Sequence, residues 1–327
     1  MSTLPLNRNN RLGIAVSPIV LGTMGLGGEW DREPAAAEQI KQGHEAVEAA
    51  LSIGVNMIDS ADIYTRGKAE SILGTVLRER PELRERLILQ SKCGIRLMEP
   101  GDLSNTFDLS RSHILSSVDG ILSRLGTEYL DILLLHRPDP LMDPEEVGEA
   151  LRELKASGRV RHFGVSNMSA AQIGLLRTGT DEPFIVNQLH LSLGKLDWLD
   201  AVVSVNRPAW TEHGMPEGTI EYCRANGIQL QAWGPLAQGR FSGRSLEGEP
   251  PHVADTAAMV ARLAEEKGTT REAIVLAWLM THPAGIQAVI GTVSPRRIEA
   301  CRGAEEIVLT RREWYDLYVS SRGQRLP

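Results

Sequence analysis

Ile132-Leu133-Leu134-Leu135-His136 is an unbroken apolar run that ends in a polar residue, and three other stretches of the chain have the same form. Asp59 follows Val55-Asn56-Met57-Ile58, Lys92 follows Leu87-Ile88-Leu89-Gln90-Ser91, and Asn167 follows Phe163-Gly164-Val165-Ser166. A strand buried in a parallel sheet is apolar on both faces, and ligands bind at the carboxyl ends of such strands. The four stretches therefore predict a parallel sheet with a site assembled at one edge.

Strand-like and helix-like segments alternate along the rest of the chain, with short turns between them. The pattern gives eight βα units, with one extra helix before the last strand. This alternation predicts parallel strands with right-handed crossovers, which form either a closed barrel or a doubly wound open sheet. Polar residues follow most of the strands, whereas an open sheet would gather them at one switch point. We therefore expect an α/β fold, a (β/α)8 TIM barrel, with residues 1–327 forming a single domain.

Two local patterns lead to more specific structural expectations. Residues 194–216 have no clear period, which indicates either a long functional loop or regular structure that the pattern does not show. Thr269 and Glu272 have the spacing of a capping box and predict that a helix opens there. The conformations of residues 94–110 and 194–216, which bear on substrate choice, do not follow from the sequence.

The bulk composition argues against several classes of protein. The net charge is −7 and the Lys and Arg residues are scattered, which argues against nucleic acid as the main partner. Three cysteines far apart, without C-x-x-C spacing, fit a reducing compartment and no zinc framework. No apolar run reaches the length of a membrane span, and residues 1–11 lack the apolar core of a signal peptide. We therefore expect a cytoplasmic protein with no membrane or nucleic-acid partner, and a monomer rather than an oligomer.

Tyr64 lies five residues after Asp59, on the loop that follows the second strand. If the second, third and fourth strands are neighbours, these two residues converge with Lys92 and His136 at the barrel mouth. A lysine ammonium favours the phenolate, so we expect Lys92 to lower the pKa of the Tyr64 phenol from about 10 toward neutrality. A carboxylate keeps the lysine charged, and a neutral histidine can hydrogen-bond a substrate carbonyl. Such a set suits carbonyl reduction, in which a forming alkoxide needs a proton.

Five motifs occur in the order that is typical of one enzyme family. They are Ile58-Asp59-Ser60-Ala61-Asp62-Ile63-Tyr64, Ser91-Lys92-Cys93-Gly94, Leu135-His136-Arg137-Pro138, Gly164-Val165-Ser166-Asn167 and Asn187-Gln188. The chain thus resembles the aldo-keto reductase family over essentially its whole length. The stretch from His136 to Leu141 is most similar to the bacterial oxidoreductases of that family. The resemblance implies an NAD(P)H-dependent enzyme that reduces aldehydes or ketones and also works in reverse as an alcohol dehydrogenase.

The resemblance also implies roles for the residues at the strand ends. The implied catalytic tetrad is Asp59, Tyr64, Lys92 and His136. Tyr64 is implied as the general acid in reduction and the base in oxidation. The positions that match the family's nicotinamide carboxamide clamp are Ser166, Asn167 and Gln188. Trp233 stands where the family usually has a ring, often tyrosine, that stacks on the nicotinamide.

Two loops resemble the family's cofactor-binding segments. The loop after the seventh strand resembles the one that covers the pyrophosphate, and its implied contacts are Gly234, Pro235, Leu236, Gln238, Gly239 and Arg240. The loop after the eighth strand resembles the adenosine 2′-phosphate segment, and its implied contacts are Gly291, Thr292, Arg296 and Arg297. The expected set also includes Gly22 and Thr23. We expect NADP(H) in preference to NAD(H), because Arg297 matches the phosphate-binding arginine and arginine binds phosphate well.

Three positions depart from the family's common pattern around this second loop. Gly291 replaces a frequent lysine, and Ala300 and Cys301 replace a glutamate and an asparagine that hold the adenine. These departures bear on the choice between NADPH and NADH and leave the proposed chemistry unaffected.

The expected substrate is a small-molecule carbonyl compound, and the side chains expected to line its pocket are Met24, Trp30 and Trp210. The histidines have no H-E-x-x-H or similar spacing, so we expect no metal. Two other functions remain open at this point. One is a slow-turnover, cofactor-binding, redox-sensing module of the same fold. The other is a barrel aldolase in which Lys92 forms a Schiff base.

Overall fold

The computed structural model describes residues 16–203 and 214–327. The strands within these ranges are β1 (Ile19–Gly22), β2 (Met57–Asp59), β3 (Ile88–Cys93), β4 (Ile95–Arg96), β5 (Thr106–Phe107), β6 (Leu130–Leu135), β7 (Val160–Ser166), β8 (Phe184–His190), β9 (Gln229–Trp233) and β10 (Gln287–Ile290). The α-helices are α1 (Ala37–Ser52), α2 (Lys68–Glu79), α3 (Leu83–Arg86), α4 (Arg111–Leu125), α5 (Pro144–Ala156), α6 (Ala170–Leu176), α7 (Asp197–Val203), α8 (Thr219–Ala225), α9 (Pro251–Glu266), α10 (Arg271–Met280), α11 (Pro295–Glu299) and α12 (Arg311–Arg322).

Eight strands close into a barrel in the order β1-β10-β9-β8-β7-β6-β3-β2. Each neighbouring pair in the barrel is parallel. Helices connect successive barrel strands, and both α9 and α10 precede β10. The predicted (β/α)8 barrel and its extra helix are therefore confirmed. Because all eight strands run in the same direction, their carboxyl ends meet at one mouth.

Regular structure occurs in both stretches whose conformation the sequence leaves open. β4 and β5 form an antiparallel pair within residues 94–110. Helix α7 lies within residues 194–216, so that part contains regular structure rather than an aperiodic loop. Two-residue strands are too short for alternation to show, and the seven residues of α7 make about two helical turns.

The expected capping box at the start of α10 was wrong by one residue. Thr270 is the N-cap of α10, and its Oγ1 accepts a hydrogen bond from Ala273 N at 3.1 Å. Thr269 belongs to the preceding turn, because its backbone N donates to the Ala264 carbonyl oxygen at 2.9 Å. A threonine pair offers two candidate caps, and the end of α9 decides which one is used.

The core has two layers with different chemistry. Between barrel and helices, the packing is continuous and apolar. Inside the barrel, a smaller apolar cluster consists of Val20, Met57, Ile88, Ile132, Leu134, Ile185, Val186 and Val289. Strand residues two apart face the same side, so the interior positions nearer the carboxyl ends continue from this cluster. Those positions are polar, and they carry the site.

Candidate active site

Asp59 and Lys92 form a buried ion pair at the mouth of the barrel. Asp59 ends β2, and Lys92 lies in the neighbouring strand β3. Lys92 Nζ donates to Asp59 Oδ2 at 2.7 Å, to the Ser60 carbonyl oxygen at 2.8 Å and to Tyr64 Oη at 3.1 Å. The side chains of Lys92 and Asp59 are only 0% and 2% exposed, so water does not screen the two charges.

The alternation of β3 explains why Lys92 points into the site. Ile88, Gln90 and Lys92 are two residues apart and share the interior face. Ile88 belongs to the apolar cluster inside the barrel, whereas Gln90 Nε2 donates to Asp59 Oδ1 at 2.6 Å. The interior face of this one strand thus changes from apolar to charged toward its carboxyl end.

Tyr64 is held beside the pair by a tight turn, the 3-10 helix Tyr64–Gly67. Thr65 and Arg66 within it have φ angles of 46° and 56°. A left-handed backbone is strained for a β-branched residue and persists only where its surroundings fix it. Thr65 is buried, and its Oγ1 donates to the Leu26 carbonyl oxygen at 3.0 Å. The strained turn therefore places Tyr64 by contacts with the loop that follows β1.

The phenol of Tyr64 is protonated at neutral pH. Burial raises its pKa above the usual value of 10.0, although the Lys92 ammonium acts to lower it. The expectation that Lys92 brings this pKa toward neutrality was therefore wrong, because removal from water penalises the phenolate more than the ammonium favours it. Burial also acts to lower the pKa of Lys92, but Asp59 and Tyr64 outweigh it and the pKa is raised. Lys92 thus stays charged beside a neutral phenol.

His136 contributes a neutral imidazole next to Tyr64. The two rings are edge-on, with centroids 6.0 Å apart. Burial, followed by the charges of Lys92 and Arg137, lowers the pKa of His136 well below its usual 6.5. Within residues 16–203 and 214–327, the buried His136 Nδ1 has no hydrogen-bond partner. The predicted tetrad is thus brought together, with a charged lysine, a protonated phenol and a neutral histidine.

A network of buried glutamines from four barrel strands holds the Asp59 carboxylate by hydrogen bonds. Gln90 Nε2 and Gln188 Nε2 both donate to Asp59 Oδ1, at 2.6 and 3.1 Å. The same two nitrogens donate to Gln231 Oε1 at 2.8 and 3.0 Å. Gln231 Nε2 in turn donates to Gln287 Oε1 at 3.2 Å. The network holds the Asp59 carboxylate in place, and the carboxylate in turn positions Lys92.

Three members of this network, Gln90, Gln231 and Gln287, have no role in the sequence analysis. A signal for them exists, because each is a glutamine within a barrel strand that also contains apolar residues. Such a residue has no water to bond with and needs a partner inside the barrel. Arg137 lies in the motif Leu135-His136-Arg137-Pro138, and sequence reasoning likewise assigned it no role.

Trp233 lies at the end of β9 and already has two partners. Its ring stacks on His190, with centroids 3.9 Å apart and an interplanar angle of 14°. Its Nε1 donates to Asn167 Oδ1 at 3.0 Å. Because His190 covers one face of the indole, a nicotinamide could stack only on the other face.

The predicted carboxamide clamp is brought together around Asn167, which has a positive φ of 57°. Asn167 Nδ2 donates to Ser166 Oγ at 2.9 Å and to the His136 carbonyl oxygen at 3.2 Å. Ser166 Oγ donates to the Gln188 carbonyl oxygen at 2.9 Å. The amide hydrogens of Asn167 and Gln188 are thus all directed at protein acceptors. In this arrangement a ligand amide would be met by the side-chain oxygens of the two residues.

The predicted pyrophosphate loop has an unusual backbone. Its φ angles are positive at Gly234, Gln238 and Gly239, at 64°, 57° and 80°. A Cβ at Gly234 would lie 3.2 Å from the His190 ring, so the positive φ and this close contact both favour glycine. Pro235 is buried, and Leu236 packs against the core. Arg240 Nε is paired with Glu249 Oε1 at 3.0 Å, so its guanidinium is engaged.

The predicted 2′-phosphate segment lies on the neighbouring strand end. β10 pairs with β9 on one side and with β1 on the other, so Gly291 and Thr292 follow a strand between Trp233 and Gly22. Arg296 and Arg297 are exposed, and neither side chain has a hydrogen bond or an ion pair within the described ranges.

Thr23, in contrast, faces inward. Its backbone N donates to the Asp59 carbonyl oxygen at 2.9 Å, and its Oγ1 donates to Ser60 Oγ at 2.8 Å. Thr23 therefore supports the start of the loop that carries Tyr64.

The expected substrate residues are placed only in part. Met24 and Trp30 are 57% and 44% exposed on the loop after β1, where large apolar side chains can meet a ligand. Trp210 lies outside the described residues. No helix in the described parts of the chain has the length and apolarity needed to cross a membrane. The same parts contain no cluster of three or more His, Cys, Asp or Glu residues able to bind a metal ion.

Comparison with known proteins identifies the family of the chain. The sequence profile of the Aldo/keto reductase family matches residues 18–318. The chain is 35% identical to the oxidoreductase YcsN of Bacillus subtilis, over 86% of this chain and 88% of that protein. It is 32% identical to a 6-dehydroglucose reductase of Agrobacterium fabrum, over 96% and 97% of the two chains. It also superposes on the crystal structure of an aldo/keto reductase from Klebsiella pneumoniae in complex with NADP and acetate, with a TM-score of 0.68 and 26% identity, over 93% and 90% of the two chains.

Proposed function

Because the chain belongs to the aldo/keto reductase family and is an NAD(P)H-dependent oxidoreductase, we propose that it reduces aldehydes or ketones with NADPH and that Tyr64 supplies the proton. The observation that carries the proposal is the hydrogen bond from Lys92 Nζ to Tyr64 Oη. Because the lysine is the donor, the phenol's own proton stays available to a ligand oxygen.

The side chains of the tetrad have separate tasks in this proposal. Neutral His136 donates a hydrogen bond to the carbonyl oxygen and orients it. Tyr64 gives its proton to the developing alkoxide, which is a stronger base than phenolate. The Lys92 ammonium then stabilises the phenolate that remains. Asp59 keeps Lys92 charged and in place, and in alcohol oxidation Tyr64 accepts the proton back.

The residues around the mouth fit a nicotinamide dinucleotide with a 2′-phosphate. NADPH, when bound, supplies the hydride. Trp233 offers one ring face beside the oxygens of Asn167 and Gln188, and these groups would hold the nicotinamide. Arg296 and Arg297, which lack partners in the described ranges, would hold the phosphate on the loop after the adjacent strand. A solved relative is described as a complex with NADP, which supports the same choice.

The aldolase alternative is disfavoured by the state of Lys92. A Schiff base needs a neutral, accessible amine. Lys92 is charged, has no exposed side-chain surface and donates to three oxygens. Attack by this amine on a carbonyl would first require breaking the ion pair with Asp59.

A turnover assay with a matched variant tests the proposal. Purified protein is mixed with NADPH and a panel of reactive aldehydes and ketones, and the loss of nicotinamide absorbance is followed. We expect turnover by the native protein and a kcat about 100- to 10,000-fold lower for Tyr64→Phe, the range that general acid catalysis supplies. NADPH affinity should change by less than about twofold, because the phenol ring remains.

Two results would count against the proposal. If the native protein binds NADPH but oxidises it with no member of the panel, the chain would be a cofactor-binding module instead. If Tyr64→Phe turns over at the native rate, another group supplies the proton.

A further inference from the structure

Arg137 follows His136 directly at the end of β6, and it differs from the other half-buried arginines. Seven such arginines occur elsewhere in residues 16–203 and 214–327, and each pairs with a carboxylate: Arg66, Arg80, Arg84, Arg124, Arg159, Arg240 and Arg322. Arg137 alone among the half-buried arginines in those ranges has neither an ion pair nor a side-chain hydrogen bond. Some exposed arginines in the described ranges also have neither an ion pair nor a side-chain hydrogen bond. Their charges cost little free energy, because water solvates them.

The position of Arg137 is on the proton-donating side of the site. Its charge acts on His136, on Tyr64 and on His190, so the guanidinium is within electrostatic range of all three rings. The loops proposed to hold the cofactor phosphates follow β9 and β10, and β7 and β8 separate β6 from β9 in the barrel. Arg137 is therefore placed to meet the substrate rather than the cofactor phosphates.

The other ionisable groups around the mouth leave the charge of Arg137 uncancelled. Lys92 and Asp59 neutralise each other. His136 and His190 are neutral at pH 7, because burial lowers the pKa of each below 6.5. Lys195 and Asp197, which also act on His190, form an ion pair. Among these groups, Arg137 alone carries a charge that no described neighbour balances.

Asp139, the nearest acid along the chain, is buried and engaged elsewhere. Its Oδ2 accepts from Leu109 N and its Oδ1 from Leu141 N, at 2.9 and 2.8 Å. A half-buried guanidinium without a counterion is costly, and an incoming anion removes that cost. Arginine presents a planar fork of N–H donors that matches a carboxylate in a bidentate geometry.

We propose that Arg137 anchors an anionic group of the substrate, so that the enzyme prefers aldehydes and ketones that carry a carboxylate or a similar monoanion. This inference rests on the proposed reductase function and narrows its substrate class. Arg137 is a specificity-determining residue in this account, and proton transfer remains with Tyr64.

Matched acid and ester substrates separate charge recognition from chemistry. The probes are 4-formylbenzoate and its methyl ester, and succinic semialdehyde and its methyl ester, each reduced with NADPH. The native protein should prefer each acid, and Arg137→Met should raise KM for the acids about 10- to 100-fold, as expected for loss of a charged hydrogen bond. KM for the esters should change by less than about threefold, and Arg137→Lys should lie between the native protein and Arg137→Met.

Two controls distinguish recognition from general damage. Arg224→Met removes an exposed arginine of α8 and should leave the acid-to-ester ratio unchanged. Arg137→Met should melt at the same temperature as the native protein or higher, because it removes an uncompensated charge.

The anion site can also be measured without turnover. Binding of 4-hydroxymethylbenzoate, followed by tryptophan fluorescence, should weaken about 10- to 100-fold in Arg137→Met. If this loss occurs while no carbonyl is reduced, the anion site stands and the reductase proposal fails. If the esters are reduced as well as the acids, or if Arg137→Met affects both equally, reduction stands and the role of Arg137 is refuted. A clear preference for uncharged sugar aldehydes would refute it as well.

Discussion

Asp59, Lys92 and Tyr64 are joined to one another at the ends of β2 and β3, whereas Arg296 and Arg297, after β10, have no partner in the described ranges. On one side of the mouth, these three side chains are buried or half-buried and hydrogen-bonded to one another before any ligand arrives. The other side exposes two charges to solvent that have no partner within the described ranges. The side chains proposed to act on the reacting atoms are thus held in place by other protein groups. The side chains proposed to select a ligand have no protein partner in the described part of the chain and can bind one.

The same contrast holds within the lining of the mouth. The Asp59 carboxylate receives hydrogen bonds from Lys92, Gln90 and Gln188. Arg137, one residue beyond His136, has none in residues 16–203 and 214–327. Removal of a group from the first side should change stability and turnover, whereas removal of a group from the second side should change ligand affinity.

The largest effect is expected for Lys92→Met, on the side of the mouth where Asp59, Lys92 and Tyr64 are hydrogen-bonded to one another. It leaves the Asp59 carboxylate buried without its cation, and breaking such a pair costs about 3–5 kcal/mol of unfolding free energy. It also removes the charge that stabilises the Tyr64 phenolate, so kcat should fall at least about 100-fold. Denaturant unfolding and steady-state kinetics measure the two losses.

The double variant Asp59→Asn/Lys92→Met is the control for this prediction. It removes both charges and should be more stable than Lys92→Met, although equally inactive. A Lys92→Met protein as stable as the native one would show that the pair is not buried in solution.

A smaller effect, seen only in cofactor binding, is expected for Arg297→Met on the exposed side. We expect NADPH affinity to fall about 10- to 100-fold and NADH affinity to stay within about twofold, because only NADPH carries the 2′-phosphate. Stability should not change, since Arg297 has no partner to lose within the described ranges. Fluorescence titration with both cofactors measures the difference.

Arg296→Met provides the matched neighbour for that experiment. A smaller loss for Arg296→Met would identify Arg297 as the main phosphate contact. Equal NADPH affinity in both variants and the native protein would mean that this loop does not select the cofactor.

The positions of Asp59, Lys92 and His136 could be predicted from sequence because strand ends are local features. An apolar run identifies a buried strand, and the next polar residue is placed at its carboxyl end by the backbone alone. The glutamine network could not be predicted in the same way. Its bonds join Gln90 to Gln231, which are 141 residues apart, and depend on how the barrel closes.

The direction of the Tyr64 pKa shift also depends on closure. Sequence reasoning weighed only the charge of Lys92, which acts to lower the pKa. Burial acts in the opposite direction and is larger, and burial depends on every loop packed around the phenol. Helix α7 and the β4–β5 pair escaped prediction for another reason, since elements this short carry little periodicity.

The most direct test of this account is a spectroscopic titration of tyrosine ionisation, in which the Tyr64→Phe curve is subtracted from the native curve. The acid form of Tyr64 must persist through neutral pH if it is to donate a proton without help from a ligand. We predict that the midpoint of the difference curve lies above pH 10.0, because burial raises this pKa above that usual value. A phenolate that forms near neutral pH in the cofactor-free protein would contradict the account.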